Sequence, residues 1–442
     1  MKKKIFGLMA AVCMLGMLSS CSSDDPVPTP KPEPEPEPVP AVVPGEDLTA
    51  KEYSADAFAI VVDGETMTGK IAEFKPGDDG TAELTLKGAP LNLTEIIGGA
   101  MSKADDDAMM LPTPGVIPGS PSVTIPLTLT GEADNCEFTG NFTTDFCTFN
   151  YSGSVDADNL TFNITDLKLK DLSLAGRYVV PNDFLVDDGW GGEQVDLKRL
   201  FRVEWESEKG IEFFPGFEMP VSTIVQLALQ MVALPDADGE DQPLPILYTK
   251  ALKEVELGED GSIVAKYCDV DQAGWPEETS PKGFASYVIK DDQTILVFLD
   301  PIAIIANVTA KASKSRAIDT DAIMTFVIND LLPICQNGVS VNVGSALLNT
   351  GEVDDSYNPV YAPSDDPNSK SFYLGTEVLL PILKVAAPIL ADDDIIDQIV
   401  TAAEKDPNMG YMASMLPNML KSLPEIVEKT SKIEVGINLN KE

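Results

Sequence analysis

Between Tyr53 and Leu169, apolar side chains recur at every second position in short runs, and Gly, Asp, Asn and Pro separate the runs. That period is the signature of half-buried strands. Phe58-Ala59-Ile60-Val61-Val62 ends on Asp63-Gly64, a pair suited to a tight hairpin turn. Lys70 to Lys75 and Thr81 to Lys87 flank Pro76-Gly77-Asp78-Asp79-Gly80, and further strands are predicted over Val123 to Thr130, Glu137 to Thr144, Cys147 to Val155 and Leu160 to Leu169. In the last of these, Leu160, Phe162, Ile164, Leu167 and Leu169 keep one apolar face with a single register slip. Short strands at this spacing predict an antiparallel sandwich or barrel.

The second half mixes periods. Lys250 to Glu256, Ser262 to Cys268, Phe284 to Lys290 and Thr294 to Leu299 read as strands, and Ser431 to Asn440 as a closing strand. Helical spacing is predicted over Asp321 to Gln336, Glu377 to Leu390, Asp394 to Glu404 and Met409 to Lys429. Asp392, Asp393 and Asp394 stand where a helix start favours anions. The stretch KIAEFKPGDDGTAELTL (Lys70 to Leu86) is echoed by LKEVELGEDGSIVAKY (Leu252 to Tyr267), which a duplicated module and plain hairpin grammar explain about equally. The fold class expected is α+β, mainly antiparallel β: barrel or sandwich modules, the second with several added helices.

Charge narrows the function classes. The chain has 442 residues, 31 Lys plus Arg, 71 Asp plus Glu and no histidine, for a net charge of −40. A polyanion repels phosphate backbones, so no nucleic-acid partner is expected. Without histidine, Ser-His-Asp and Cys-His nucleophiles, imidazole acid–base chemistry and HExxH zinc sites are excluded within this chain.

The N-terminus carries an address. Three lysines precede an apolar run, Ile5 to Leu18, too short to span a bilayer of about 30 Å and of a length typical for a secretory signal. Leu18-Ser19-Ser20-Cys21 resembles a bacterial lipobox, which implies cleavage before Cys21 and lipid attachment to its thiol and new amino group. The following Ser22-Ser23-Asp24-Asp25 resembles the export signal of Bacteroidales lipoproteins displayed on the outer face of the outer membrane. From Pro26 to Pro40 proline occupies nearly every second position, which predicts a polyproline II spacer rising about 3.1 Å per residue. The expected organisation is a signal peptide (1–20), a lipidated cysteine and Pro/Glu-rich spacer (21–48), an N-terminal antiparallel β domain (49–185) and a C-terminal α+β domain (186–442).

The lipobox, the spacer, the GDDGTAELTLKG turn and strand, and the later LTLTGE and FNITDLKLK strands together resemble Bacteroidales outer-membrane or surface lipoproteins of uncharacterised function with calycin-like (lipocalin-like) β-barrel domains. The resemblance covers most of the mature chain in layout, and it implies the barrel fold and the membrane anchor. It carries no catalytic residues.

Candidate chemistry is sparse. Beyond Cys21, the exported chain has Cys136, Cys147, Cys268 and Cys335, which permit three pairings or four buried thiols; Cys136 and Cys147 are able to pair if their strands are neighbours. No CxxC, Walker or GxGxxG motif occurs, and PDADGED (Pro235 to Asp241) places glycine too early for an EF-hand, so no cofactor or metal is expected. Trp190 in DDGWGG and Trp275 in QAGWPEE are candidate sugar-stacking platforms, and Trp205 reads as an inward strand residue. Met409, Met412, Met415 and Met419 form an apolar helical face, read either as core or as the lining of a barrel mouth that holds an apolar ligand. The function expected is a cell-surface lipoprotein acting as a non-enzymatic binding module for a small apolar or carbohydrate ligand. The alternatives are a structural or adhesive surface protein with no small-molecule site, and a hydrolase using paired carboxylates.

Overall fold

The computed structural model describes residues 40–92, 110–111, 113–187, 191–214, 216–231, 233–235, 239–269, 272, 274–300, 338–353, 359–405 and 413–442. The signal peptide, Cys21, Trp190, Cys335, Met409, Met412 and the helix expected over Asp321 to Gln336 lie outside these residues. Among the described residues no helix is long and apolar enough to cross a membrane.

The first half makes two antiparallel sheets. Its strands are β1 (Lys51–Ser54), β2 (Phe58–Val62), β3 (Glu65–Met67), β4 (Lys70–Pro76), β5 (Thr81–Gly88), β6 (Ser122–Thr128), β7 (Thr130–Glu132), β8 (Asn135–Thr143), β9 (Cys147–Asp156) and β10 (Leu160–Leu169). One sheet runs β1-β4-β5-β6 and the other β3-β2-β10-β9-β8-β7, with β2 parallel to β10. Alternation decides which faces meet: Phe74, Leu84, Leu86, Ile125 and Leu127 from the first sheet join Ile60, Phe138, Phe149, Phe162 and Ile164 from the second in one buried core. Tyr151 stacks on Phe162 with ring centroids 5.6 Å apart, and its hydroxyl donates to the Pro126 carbonyl across the sheets. The register slip in β10 is a bulge, with Asp166 at φ +54° and the pairing to β9 shifted between Thr148 and Asn150. Residues before Lys51 also dock here: the Val42 amide donates to the Leu129 carbonyl, Leu48 is buried, and the compact unit runs from Ala41 to Glu442.

The second half closes a ring. Its strands are β11 (Gly176–Val179), β12 (Phe201–Ser207), β13 (Leu252–Leu257), β14 (Ser262–Cys268), β15 (Ala285–Asp291), β16 (Thr294–Leu299), β17 (Val339–Ser345), β18 (Ser369–Leu374) and β19 (Thr430–Lys441). The order β11-β13-β14-β15-β16-β17-β18-β19 returns to β11 through Tyr178 opposite Lys441 and Val179 opposite Asn440, giving a closed eight-stranded antiparallel barrel. The long β19 also pairs β12 over its N-terminal part. The protein is therefore mainly antiparallel β with a minority of helix.

Among the described residues the helices are α1 (Leu197–Leu200), α2 (Val221–Met231), α3 (Leu244–Ala251), α4 (Thr376–Leu390), α5 (Asp393–Lys405) and α6 (Leu416–Glu428). α4 and α5 match the sequence reading, and Asp392 accepts from the Asp394 amide at 3.0 Å as an N-cap should; α6 starts at Leu416 after a turn over 413–415, so Met415, expected within the helix from Met409 to Lys429, precedes it. The first three correct the sequence reading. α3 ends at Ala251, so Lys250, expected in a strand, is helical. Its turn carries Pro245, tolerated near a helix start, where no partner for its missing N–H is needed.

Candidate functional site

The sandwich and the barrel meet along a crevice of about 230 Å³. The sandwich contributes Val62 to Thr68 of the β2–β3 hairpin, Lys70 at the start of β4, and the loop Pro114–Pro118; the barrel contributes Asp260, Ser262, Lys282 to Ser286, Phe298 and Asp300. Local sequence sets each wall. Asp63 and Gly64 both have positive φ, at 47° and 90°, and fold the hairpin back sharply. Asp260-Gly261-Ser262 makes the tip between β13 and β14, where the Ser262 amide and hydroxyl both donate to the Asp260 carboxylate. Gly261 sits at φ +81°, and a Cβ there would stand 2.9 Å from the Tyr287 carbonyl and 3.1 Å from the Pro118 ring. A close approach of barrel turn to sandwich loop thus requires glycine.

The echoed sequences fold alike. In the β4–β5 tip the Thr81 amide donates to Asp79 and Gly77 N–H to the Thr81 carbonyl; in the β13–β14 tip Ser262 repeats this with Asp260 and Gly258. Their settings differ: Asp79 is on the surface, whereas Asp260 faces the crevice. Beside it, Glu259 accepts from the Leu169 amide at 2.8 Å and from Lys168 at 2.9 Å, tying β10 to the barrel.

Two lysines define the electrostatics. The Lys70 side chain is 3% exposed; its ammonium donates to the Pro114 carbonyl at 3.0 Å and lies 3.9 Å from the Asp300 carboxylate. Burial pushes its pKa below the ordinary lysine value, and the opposing pull of Asp300 does not make up the difference. Lys282 lies 2.6 Å from Asp260. That hydrogen bond raises the lysine against some desolvation, and the nearby charges of Glu65 and Asp63 add to it. For Asp260, burial resists ionisation, but hydrogen bonds from Lys282 and Ser262 prevail and hold the carboxyl below its usual range.

The described residues singled out from sequence do not gather here. Trp275 is half-buried at φ +50° in a turn, with the Lys250 ammonium 5.4 Å from its ring centroid, so one face of the indole meets a cation. Trp205 donates to the Thr430 hydroxyl at 2.9 Å. Met419 packs with Trp205, Met219 and Val225 around Ile211, Val221, Ile224 and Ile426, a small core between α2, α6 and the hairpin 211–219, and Met415 stands at the N-terminus of α6. Cys136 and Cys147 lie on neighbouring strands but at opposite ends of the hairpin, facing Val155 and Leu169, and both are free. Burial raises both thiols, Cys147 to about 11, which removes thiolate chemistry at neutral pH. Among the described residues no three acidic or thiol side chains gather around a point where a metal ion would sit.

Lys70, Lys282 and Asp260 were not candidates from sequence. The signal for Lys70 was present: period two puts it on the same face as Ala72 and Phe74, both fully buried. None of the family models, curated proteins or solved structures compared with this chain matches it.

Proposed function

We propose that this chain is a lipid-anchored, surface-displayed protein of a bacterial outer membrane, attached through Cys21, whose folded part is a non-enzymatic receptor for a small ligand held in the crevice between sandwich and barrel. The closed ring of consecutive antiparallel strands is the calycin-like element of this reading. The supporting observation is the crevice itself, a concave site between two modules whose lining mixes apolar side chains with charged ones and encloses a buried ammonium.

Native mass spectrometry of Ala41–Glu442 produced in a Bacteroidales host tests the receptor role. A small organic species should accompany the wild type and be lost from Lys70→Met. A protein that emerges empty and gains no thermal stability from cell extract would overturn it. The anchor is tested by palmitate labelling, which Cys21→Ala should abolish, and by removal of the protein from intact cells by external protease. A second reading, adhesion to a protein partner, draws on Val385, Ile389 and Leu390, exposed at 39%, 37% and 37% along one side of α4.

A further inference from the structure

We propose that the crevice recognises a neutral polyhydroxylated ring about one sugar residue in size, an inference that rests on the receptor reading above and names its ligand class. The argument begins at Lys70. An ammonium has three donors. Among the described residues Lys70 uses one, on the Pro114 carbonyl at 3.0 Å, while Asp300 at 3.9 Å is beyond hydrogen-bond reach. A side chain only 3% exposed, lining a cavity with donors unmet, calls for oxygen acceptors in that cavity.

The surrounding charges decide which acceptors. Among the described residues that line the crevice, Lys70 and Lys282 stand with four carboxylates, Asp63, Glu65, Asp260 and Asp300, so an anionic ligand meets an excess of acidic groups. A cation would meet Lys70 at the buried end. A wholly apolar ligand would leave the Lys70 donors dry. A hydroxyl both accepts from an ammonium and donates to a carboxylate, and the crevice lining sets two lysines beside aspartates, Lys70 with Asp300 and Lys282 with Asp260. Neighbouring hydroxyls on one ring match such donor–acceptor pairs. The apolar C–H face of the ring has its counterpart in Val116, Leu167, Phe284 and Phe298. Size agrees: 230 Å³ lies below the roughly 300–1,000 Å³ of sites for drug-sized ligands, room for one ring and too little for a long acyl chain.

Saturation-transfer NMR and titration calorimetry on the full chain test this with glucose, galactose and mannose as neutral probes, glucuronate as anion, glucosamine as cation and hexanoate as apolar probe. At least one neutral hexose should bind, with the charged sugars at least threefold weaker. Lys70→Met should weaken the hexose at least tenfold while the melting temperature stays level or rises. If that variant melts below the wild type, Lys282→Gln at the rim carries the test, with a threefold loss expected. Hexanoate binding without any hexose would overturn the sugar inference and leave the receptor reading standing. A hexose held equally by the wild type and by either well-folded variant would overturn the site. Silence from every probe would overturn both.

Discussion

The sandwich and the barrel are both antiparallel β, yet they bury their residues differently. Along β6 exposure and burial alternate at every position, and β5 and β10 keep nearly the same pattern. Along β14 every residue is half-buried, and β17 and β12 are close to that. The sandwich has one face on a core and one in water, so each side chain is either in or out. In the barrel side chains on both faces are partly covered: helices pack on β12, β13, β14 and β19, and on the face that they share Tyr178, Leu257, Tyr287, Ile295 and Leu439 are buried whereas Val297, Val341 and Phe372 are only partly so. The same secondary structure thus gives a sharply layered module and a diffuse one. The crevice forms where they meet.

The largest expected effect tests that contrast directly. Leu84→Ala, at a fully buried sandwich position, should cost about 2–5 kcal/mol, whereas Val297→Ala in the barrel should cost about 1 kcal/mol. Urea unfolding should be followed by tryptophan fluorescence, because Trp190, Trp205 and Trp275 all lie in the second half. The buried core is continuous from Phe74 to Tyr287, so Leu84→Ala should lower the fluorescence midpoint too. An unmoved midpoint would mean that the two modules unfold independently.

Next come two glycines with similar backbones. Gly261→Ala forces a Cβ against the Tyr287 carbonyl at φ +81° and should cost about 2–3 kcal/mol. Gly64→Ala, at φ +90° with nothing within 4 Å, should cost only about 1 kcal/mol of backbone strain. Equal losses by thermal melting would show that turn and loop do not press together at the crevice.

A smaller effect is pH-dependent. Because the Lys70 pKa is lowered in the folded state, the unfolded chain binds more protons between that value and 10.5, and stability from this group rises with pH across that window. Below the window the penalty for its buried charge is fully present. Lys70→Met should therefore gain most over the wild type near neutral pH and lose that advantage as pH approaches 10.5, measured by urea midpoints of the two proteins at matched pH. A constant difference would place the ammonium in water. The smallest effect expected is none at all: Cys136 and Cys147 should stay unlabelled by a bulky maleimide in the native protein, as read by peptide mass spectrometry, because both are fully buried.

How much was legible follows from the same contrast. In the sandwich, alternation named β2, β4, β5, β6, β8, β9 and β10, the Asp63-Gly64 turn and a register slip in β10, because each side chain there has one fate; the short β1, β3 and β7 were not read as separate strands. In the barrel half, α3 over Leu244–Ala251 went unread because its short apolar run shows no clean helical period, and α2 over Val221–Met231 was passed over although Val221, Ile224, Val225 and Ala228 recur at helical spacing. The tryptophans and methionines drew notice because they are conspicuous as residue types. The crevice is built instead from common lysines and aspartates, whose importance comes only from what encloses them.

The sequence by itself determined the charge, the absence of imidazole chemistry, the expected address at Cys21 and the β character of both halves, for these depend on composition and on local period. Tertiary structure alone decided that eight strands close into a ring, that Asp260 faces a cavity while its echo Asp79 faces water, and that Lys70 stands beside Asp300. Those pairings join residues far apart along the chain, and their energetics depend on burial and distance, which only the packed fold supplies.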